Sequence, residues 1–532
     1  MEIKLSIPAK IVSKILKWMT RLDLSRLVFA FALIISISGI VYSFQHDIIV
    51  SYGDAESHLN IAKRVVHSLT PGMAQLGGIW LPMPHILMLP FIYFDQLWRS
   101  GLAGSIVSGI SFVVSSVFIF KLTELITKNK SASFFTFLVF ATNPNLIYMQ
   151  STPMTELTLI VFFILSSYYF VRYLLNTDDN LSLIMAAFFG FCATLSRYDG
   201  WFLVGVEALI IALIHLKKKI IPISVKGEGQ MFLYITVAFF GIVSWLGWGW
   251  IILGDPLYFT RSQFSAKSQQ QGWLAHGQLP AYHNLLLSFL YYLITSMSNV
   301  GILLFFVFMV GLFKYLSDSG QVRRYSIAFL MMVPFIFYVV TLFMGQSIIF
   351  TPHITPISFD WRLFNVRYGL MMIPAAAFFI GFLFFKSGWP ARALLIFLFL
   401  AQFGLYYIGY SKVVTFEDGW VGLSSARRPD AERWLAKNYD NGLVLMDDYS
   451  RTFSVVRGKI PMQNIVYIGN KPYWEWALAA PQNHVKWVVL QSNDTVWKNL
   501  FSTEEQQGRL YKYFKKVYTS DEILIFERIA DQ

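Results

Sequence analysis

A single cysteine, Cys192, stands in 532 residues, so no disulfide closes within the chain and no cysteine cluster holds a metal. Charge is equally scarce. Only 14% of the residues are Asp, Glu, Lys or Arg, against about a quarter in soluble domains. With 55% hydrophobic residues and a mean hydropathy of +0.52, the composition excludes an ordinary soluble protein. Internal repeats and low-complexity segments are lacking. The net charge of +12 comes without a basic stripe interleaved with aromatics, so nucleic acid is not an expected partner. No small-residue cleavage pattern follows the first apolar run, which therefore reads as a retained span and not a removed signal.

What is present is a series of apolar segments, most of about 20 residues, the length that crosses a bilayer. About eleven are expected: 27–43, 105–125, 132–148, 157–175, 181–195, 201–216, 232–253, 300–313, 326–344, 368–385 and 394–410. Lys128/Lys130, Lys217 to Lys219, Arg323/Arg324 and Lys386/Arg392 mark alternate loops, and Lys4, Lys10, Lys14, Lys17, Arg21 and Arg26 precede the first span. The positive-inside rule then puts the N-terminus in the cytoplasm and residues after 411 outside the plasma or inner membrane. Two further helices are expected to lie in the outer interface. One begins near Asp54, with Leu59, Ala62, Val66 and Leu69 on one face and Glu56, Asn60, Lys63, Arg64 and His67 on the other. The second, through Trp80-Leu81-Pro82-Met83-Pro84-His85 and on to Trp98, is too short and proline-rich to span. Residues 1–411 thus form a membrane domain. Residues 412–532, where charge rises and short β-rich runs alternate with helical patterns, read as a small soluble α/β domain. Asp447 and Asp448 end its first strand, a position best explained by loop solvation.

The spans hold almost no ionisable groups apart from Glu207. The outer loops hold many, among them Asp54, Glu56, His58, His85, Glu156, Arg197, Asp199, Asp360, Arg362 and Arg367. Asp54 suits a helix N-cap equally well. Arginine at an outer span edge runs against the charge rule, and a phosphate at headgroup depth compensates it, as do lipid phosphates or a pair with Asp199 or Asp360. Carboxylates and guanidinium groups at one depth are what a reaction needs when a lipid-linked phosphate leaves an electrophilic carbon. A carboxylate deprotonates the attacking hydroxyl or amine, and arginines take up the negative charge of the departing phosphate.

Four motifs carry a family resemblance: the acidic stretch after the first span, Glu156 opening a span shortly after Asn143-Pro144-Asn145, the Leu195-Ser196-Arg197-Tyr198-Asp199-Gly200 turn, and Asn365-Val366-Arg367-Tyr368-Gly369 opening a late span. Over about residues 27–410 the chain resembles the GT-C glycosyltransferases, in the branch of aminoarabinose transferases and protein O-mannosyltransferases. The resemblance implies inverting transfer of a sugar from a polyprenyl-phosphate donor to a glycan, lipid or protein acceptor on the extracytoplasmic face. It implies Asp54 as general base, Glu156 as the second acidic residue, and Arg197 and Arg367 on the donor phosphate. Aminoarabinose transferases carry a lysine before a Pro-Pro pair ahead of the second interfacial helix; the comparable stretch here, Trp80 to His85, has no lysine, and His85 is a further phosphate candidate. Glu56, His58, Asp199 and Arg362 are secondary or acceptor-side candidates. No cofactor is obligatory, although Asp54, Glu56, His58 and Glu156 leave room for a divalent cation. The rival readings are a transporter of lipid-linked sugars and a non-catalytic membrane scaffold. A scaffold gives these charges no reason to meet.

Overall fold

The computed structural model describes residues 24–216, 225–263, 265–421, 430–447 and 453–529. Lys4, Lys10, Lys14, Lys17, Arg21, Lys217 to Lys219 and Asp448 lie outside the described residues.

Each expected apolar segment falls on helix. The membrane part comprises α1 (Leu24–Gln45), α2 (Gly53–His67), α3 (Met83–Ile92), α4 (Leu102–Thr127), α5 (Lys130–Ala141), α6 (Pro144–Met149), α7 (Glu156–Leu175), α8 (Asn180–Thr194), α9 (Asp199–Leu216) and α10 (Val225–Leu253). It continues with α11 (Ala266–Ala275), α12 (Leu285–Val300), α13 (Ile302–Ser317), α14 (Arg324–Met331), α15 (Val333–Phe343), the 3₁₀ segment Val366–Met372, α16 (Ile373–Lys386), α17 (Trp389–Tyr407) and α18 (Val414–Val421). Among the described residues six helices are long and apolar enough to cross a membrane, and two bent pairs raise that to as many as eight. Of the remaining expected spans, α5 and α8 are shorter apolar helices. The chain is an integral membrane protein.

Several of these helices begin where the sequence supplies a cap: the side chains of Asn129, Asn143, Asp179 and Asn284 each accept from a backbone N–H in the first turn that follows. They pack closely through small residues. A Cβ on Gly109 would sit 2.8 Å from Ser36 Oγ, so α4 and α1 meet at that glycine, beside the 2.8 Å bond from Ser36 Oγ to Gln150 Oε1. The pair α12–α13 turns through 111° at Gly301, whose φ of +97° is open to glycine and strained for other residues. Glu207, the ionisable residue inside a span, accepts from Ser166 Oγ at 3.1 and 3.0 Å and from Tyr234, and so is satisfied within the bundle.

The C-terminal unit carries one five-stranded sheet of order β2-β1-β3-β5-β4, from Val444–Leu445 (β1), Ile465–Val466 (β2), Trp487–Gln491 (β3), Phe514–Thr519 (β4) and Ile523–Arg528 (β5). β1 runs parallel to β2 and β3, while β5 is antiparallel to β3 and β4. One sheet face shares an apolar cluster with the membrane part, where Val444, Phe453, Val455 and Ile525 join Leu59, Ala62, Met88 and Trp98. Residues 414–421, which composition groups with this unit, pack on the membrane side. Thr415 N donates to Asn145 Oδ1 at 3.1 Å, and Tyr52 OH donates to Thr415 O at 2.5 Å.

Candidate active site

Helix α2 carries the first acid. Its N-cap is Tyr52 and not Asp54, which sits one residue inside the helix, beside the partial positive charge of the N-terminus. Asp54, Ser57, Ile61 and Arg64, spaced i, i+3, i+7 and i+10, line a cavity of about 500 Å³. Its other walls come from Gly77 to Trp80, the end of α10, α11, residues 346–348 and residues 364–368. Gly78 lets α10 approach, since a Cβ there would lie 2.1 Å from Leu253 Cδ1.

Residues from distant turns meet at one end of this cavity. Arg367 Nη2 donates to Asp54 Oδ2 at 2.8 Å and Arg367 Nε donates to Glu156 Oε1 at 3.2 Å. The same Glu156 oxygen accepts from Arg197 Nη1 at 3.1 Å. Arg197 Nε reaches Asp199 Oδ2 at 2.9 Å, Arg197 Nη1 reaches Thr155 Oγ1 at 3.0 Å, and Arg197 Nη2 reaches Tyr338 OH at 3.1 Å. A run of alternating charge, Asp54–Arg367–Glu156–Arg197–Asp199, therefore crosses three helices and the 3₁₀ segment. Tyr368 lies under both guanidinium groups, 5.3 Å from Arg367 and 5.1 Å from Arg197. Such fork-shaped donors hold carboxylates in fixed directions, which a lysine does not do.

Asp418 on α18 completes the cluster. Its carboxylate lies 3.9 Å from Arg367 Nη1 and accepts from Asn365 N at 3.1 Å. Burial pushes its pKa up to about 6 against the opposing pull of Arg367. Nothing in the local sequence marks Asp418, which lies beyond the last expected span.

His58 lies one turn after Asp54 and is fully buried. Its Nδ1 and His85 Nε2 are 2.9 Å apart, and Trp80 stands edge-on at 4.7 Å. Burial lowers His58 to about 4, partly offset by Asp54, and pushes His85 well below its usual range. Two neutral imidazoles in a shared hydrogen bond support the wall behind Asp54, and neither His58 nor His85 is among the residues lining the cavity.

The polar face of α2 is not turned to water. Glu56, Asn60, Lys63 and Arg64 are all buried. Glu56 accepts from Ser454 Oγ at 2.7 Å and from Val456 N at 3.3 Å, so its carboxylate ties α2 to the C-terminal unit. Asn60 Oδ1 accepts from Trp98 Nε1 at 3.1 Å, and Lys63 Nζ pairs with Asp95 at 2.6 Å. Arg362 is apart from the cluster, donating to Pro352 O at 2.8 Å at an exposed position. Arg64 lines the cavity with its guanidinium 4.2 Å over the Tyr467 ring, and its helical register with Asp54 was the sequence signal for that.

Among the described residues no three His, Cys, Asp or Glu side chains gather as a metal cage. Asp54 and Glu156 face arginines and His58 faces His85, so these groups do not fit a divalent cation in this arrangement.

Residues 96–248 match the family model described as dolichyl-phosphate-mannose-protein mannosyltransferase. The backbone superposes on ArnT from Cupriavidus metallidurans bound to undecaprenyl phosphate with a TM-score of 0.57, at 11% identity, over 93% of this chain and 98% of that one. The fold is that of the GT-C glycosyltransferases. Over residues 96–248 the sequence match points the same way as the fold. The apo state of the same ArnT gives a TM-score of 0.53 at 10% identity, over 93% of this chain and 98% of that one. The oligosaccharyltransferase of Archaeoglobus fulgidus tethered with an acceptor peptide gives 0.50 at 12% identity, over 96% of this chain and 74% of that one. At these identities the GT-C likeness is one of fold. No curated protein sequence matches the chain.

Proposed function

We propose that the chain transfers a glycosyl group from a polyprenyl-phosphate donor to an acceptor hydroxyl or amine, with inversion, at the outer membrane face. The observation that carries this reading is the joining of Asp54, Glu156, Arg197 and Arg367 from separate elements, with Asp54 and Arg367 lining one cavity. A scaffold has no use for that convergence. The ArnT structure bound to undecaprenyl phosphate supports the choice of donor class.

In this reading Asp54 takes the proton of the acceptor as its oxygen or nitrogen adds to the anomeric carbon. The bond from that carbon to the phosphate oxygen breaks, and the electron pair leaves with the phosphate. Arg367 fixes the direction of the Asp54 carboxylate and faces the developing phosphate charge, and Arg64 supplies a second cation on the same wall. Arg197 acts through Glu156, which it shares with Arg367. His85 serves as a partner for His58 and not as a phosphate ligand. With the N-terminus cytoplasmic, the cavity and the C-terminal unit lie outside.

The deciding experiment is a purified assay with polyprenyl-phosphate sugar. Asp54→Asn is expected to abolish transfer while the protein still folds and binds polyprenyl phosphate. Unchanged turnover removes Asp54 as base.

A further inference from the structure

We propose that the part of the cavity built by α11 is a subsite for an uncharged sugar ring. The proposal rests on the transfer reading above and specifies its substrate class. Gln270 lines the cavity and is 4% exposed, yet its Oε1 has no hydrogen-bond partner among the described residues. A buried carbonyl of this kind awaits a donor, and a ligand hydroxyl supplies one. Three residues on, Trp273 lines the same cavity, its ring set edge-on against Phe350 at 5.9 Å and Phe364 at 5.6 Å. An indole wall beside an unpaired amide is how a protein meets a sugar ring, with the C–H bonds against the aromatic surface and the hydroxyls on the amide.

Charge supplies the discrimination. Among the described residues lining the cavity, the ionisable acid is Asp54, and it is held by Arg367 at 2.8 Å. Around α11 the lining offers amides, the Ser347 hydroxyl and aromatic carbon. An ammonium group on the sugar would be desolvated there without a carboxylate to meet it, whereas a neutral hexose brings no charge to desolvate.

The test is native mass spectrometry of the full chain with polyprenyl phosphate, its neutral hexose ester and its amino-sugar ester, with a soluble methyl hexoside as a fourth probe. Each affinity is taken relative to bare polyprenyl phosphate on the same protein, which separates the subsite from loss of folding. The hexose ester is expected to bind roughly tenfold tighter than bare phosphate, and the amino-sugar ester no tighter than it. Gln270→Ala and Trp273→Ala are each expected to erase the hexose gain, and Gln270→Glu to turn the preference toward the amino sugar. A gain seen with the lipid-linked hexose marks the donor sugar, and one confined to the methyl hexoside marks the acceptor; either supports the subsite. A hexose gain that survives both Gln270→Ala and Trp273→Ala, or tighter binding of the amino-sugar ester by the unaltered chain, overturns the proposal. If none of the lipids binds, the donor reading itself fails, and this inference with it.

Discussion

At the scale of single residues, the site is a set of buried charges whose partners decide what each one does. Arg367 touches Asp54, Glu156 and Asp418, so its removal takes the shared cation from all three and leaves Glu156 with Arg197. Arg367→Ala is expected to cost about 3–5 kcal/mol in stability, the range for breaking a buried pair, and to be read as a lowered Tm in detergent. Arg64→Ala removes a cation from the wall without breaking the Asp54 pair. It is expected to weaken donor binding by about 2 kcal/mol, seen as a raised KM for the lipid donor with a smaller change in kcat. Asp418 gives a pH dependence of definite sign. Its pKa rises from 3.8 unfolded to about 6 folded, so between these values the native state holds the proton that the unfolded state has lost. This group therefore subtracts stability progressively from about pH 4 to pH 6. His58, lowered from 6.5 to about 4, acts in the opposite sense, adding stability as pH rises through that window. Asp418→Asn is expected to make Tm rise more steeply between pH 4 and 6 than in the unaltered protein.

At the scale of elements, two close approaches hold the site in place. A Cβ on Gly369 would meet Asn299 Nδ2 at 2.4 Å and Thr295 O at 2.5 Å, so the 3₁₀ segment bearing Arg367 lies directly on α12. Gly369→Ala is expected to cost about 1–3 kcal/mol as an overpacking change and to lower activity by shifting Arg367. The second is the tie from α2 to the C-terminal unit. Glu56→Ala leaves Ser454 Oγ and Val456 N without their acceptor, at a cost of about 1–3 kcal/mol, whereas Glu56→Gln keeps an acceptor and is expected to recover part of it. Thermal unfolding of the two variants side by side checks the difference.

At the scale of the whole molecule, the C-terminal unit is part of the site's frame. Besides Glu56, the Arg64 guanidinium packs on Tyr467, Tyr467 OH bonds Gln75, and Arg99 Nη1 donates to Val456 O at 3.3 Å. One apolar cluster runs through both parts. Both faces of α2 are thereby used, one for the cavity and one for the docked unit.

The membrane architecture was legible in the sequence because hydrocarbon imposes a fixed length and forbids unpaired backbone, so apolar runs of the right size become helices wherever they occur. The outer acids and arginines were legible because charge is scarce in such a chain and each one stands out. What α2 does with its polar face was not legible, since amphipathicity reports a boundary between two environments and not whether the polar side meets water or another domain. Asp418, Gln270 and Trp273 carry no local signature, and only packing brings Asp418 to the charged cluster and the other two to the cavity. The pairing of Arg367 with Asp54 across 313 positions is likewise a product of how the helices stack. Composition and periodicity thus determined the solvent each segment prefers, while tertiary structure decided which charges meet, because side-chain partners are set by proximity in space and hydropathy holds no record of it.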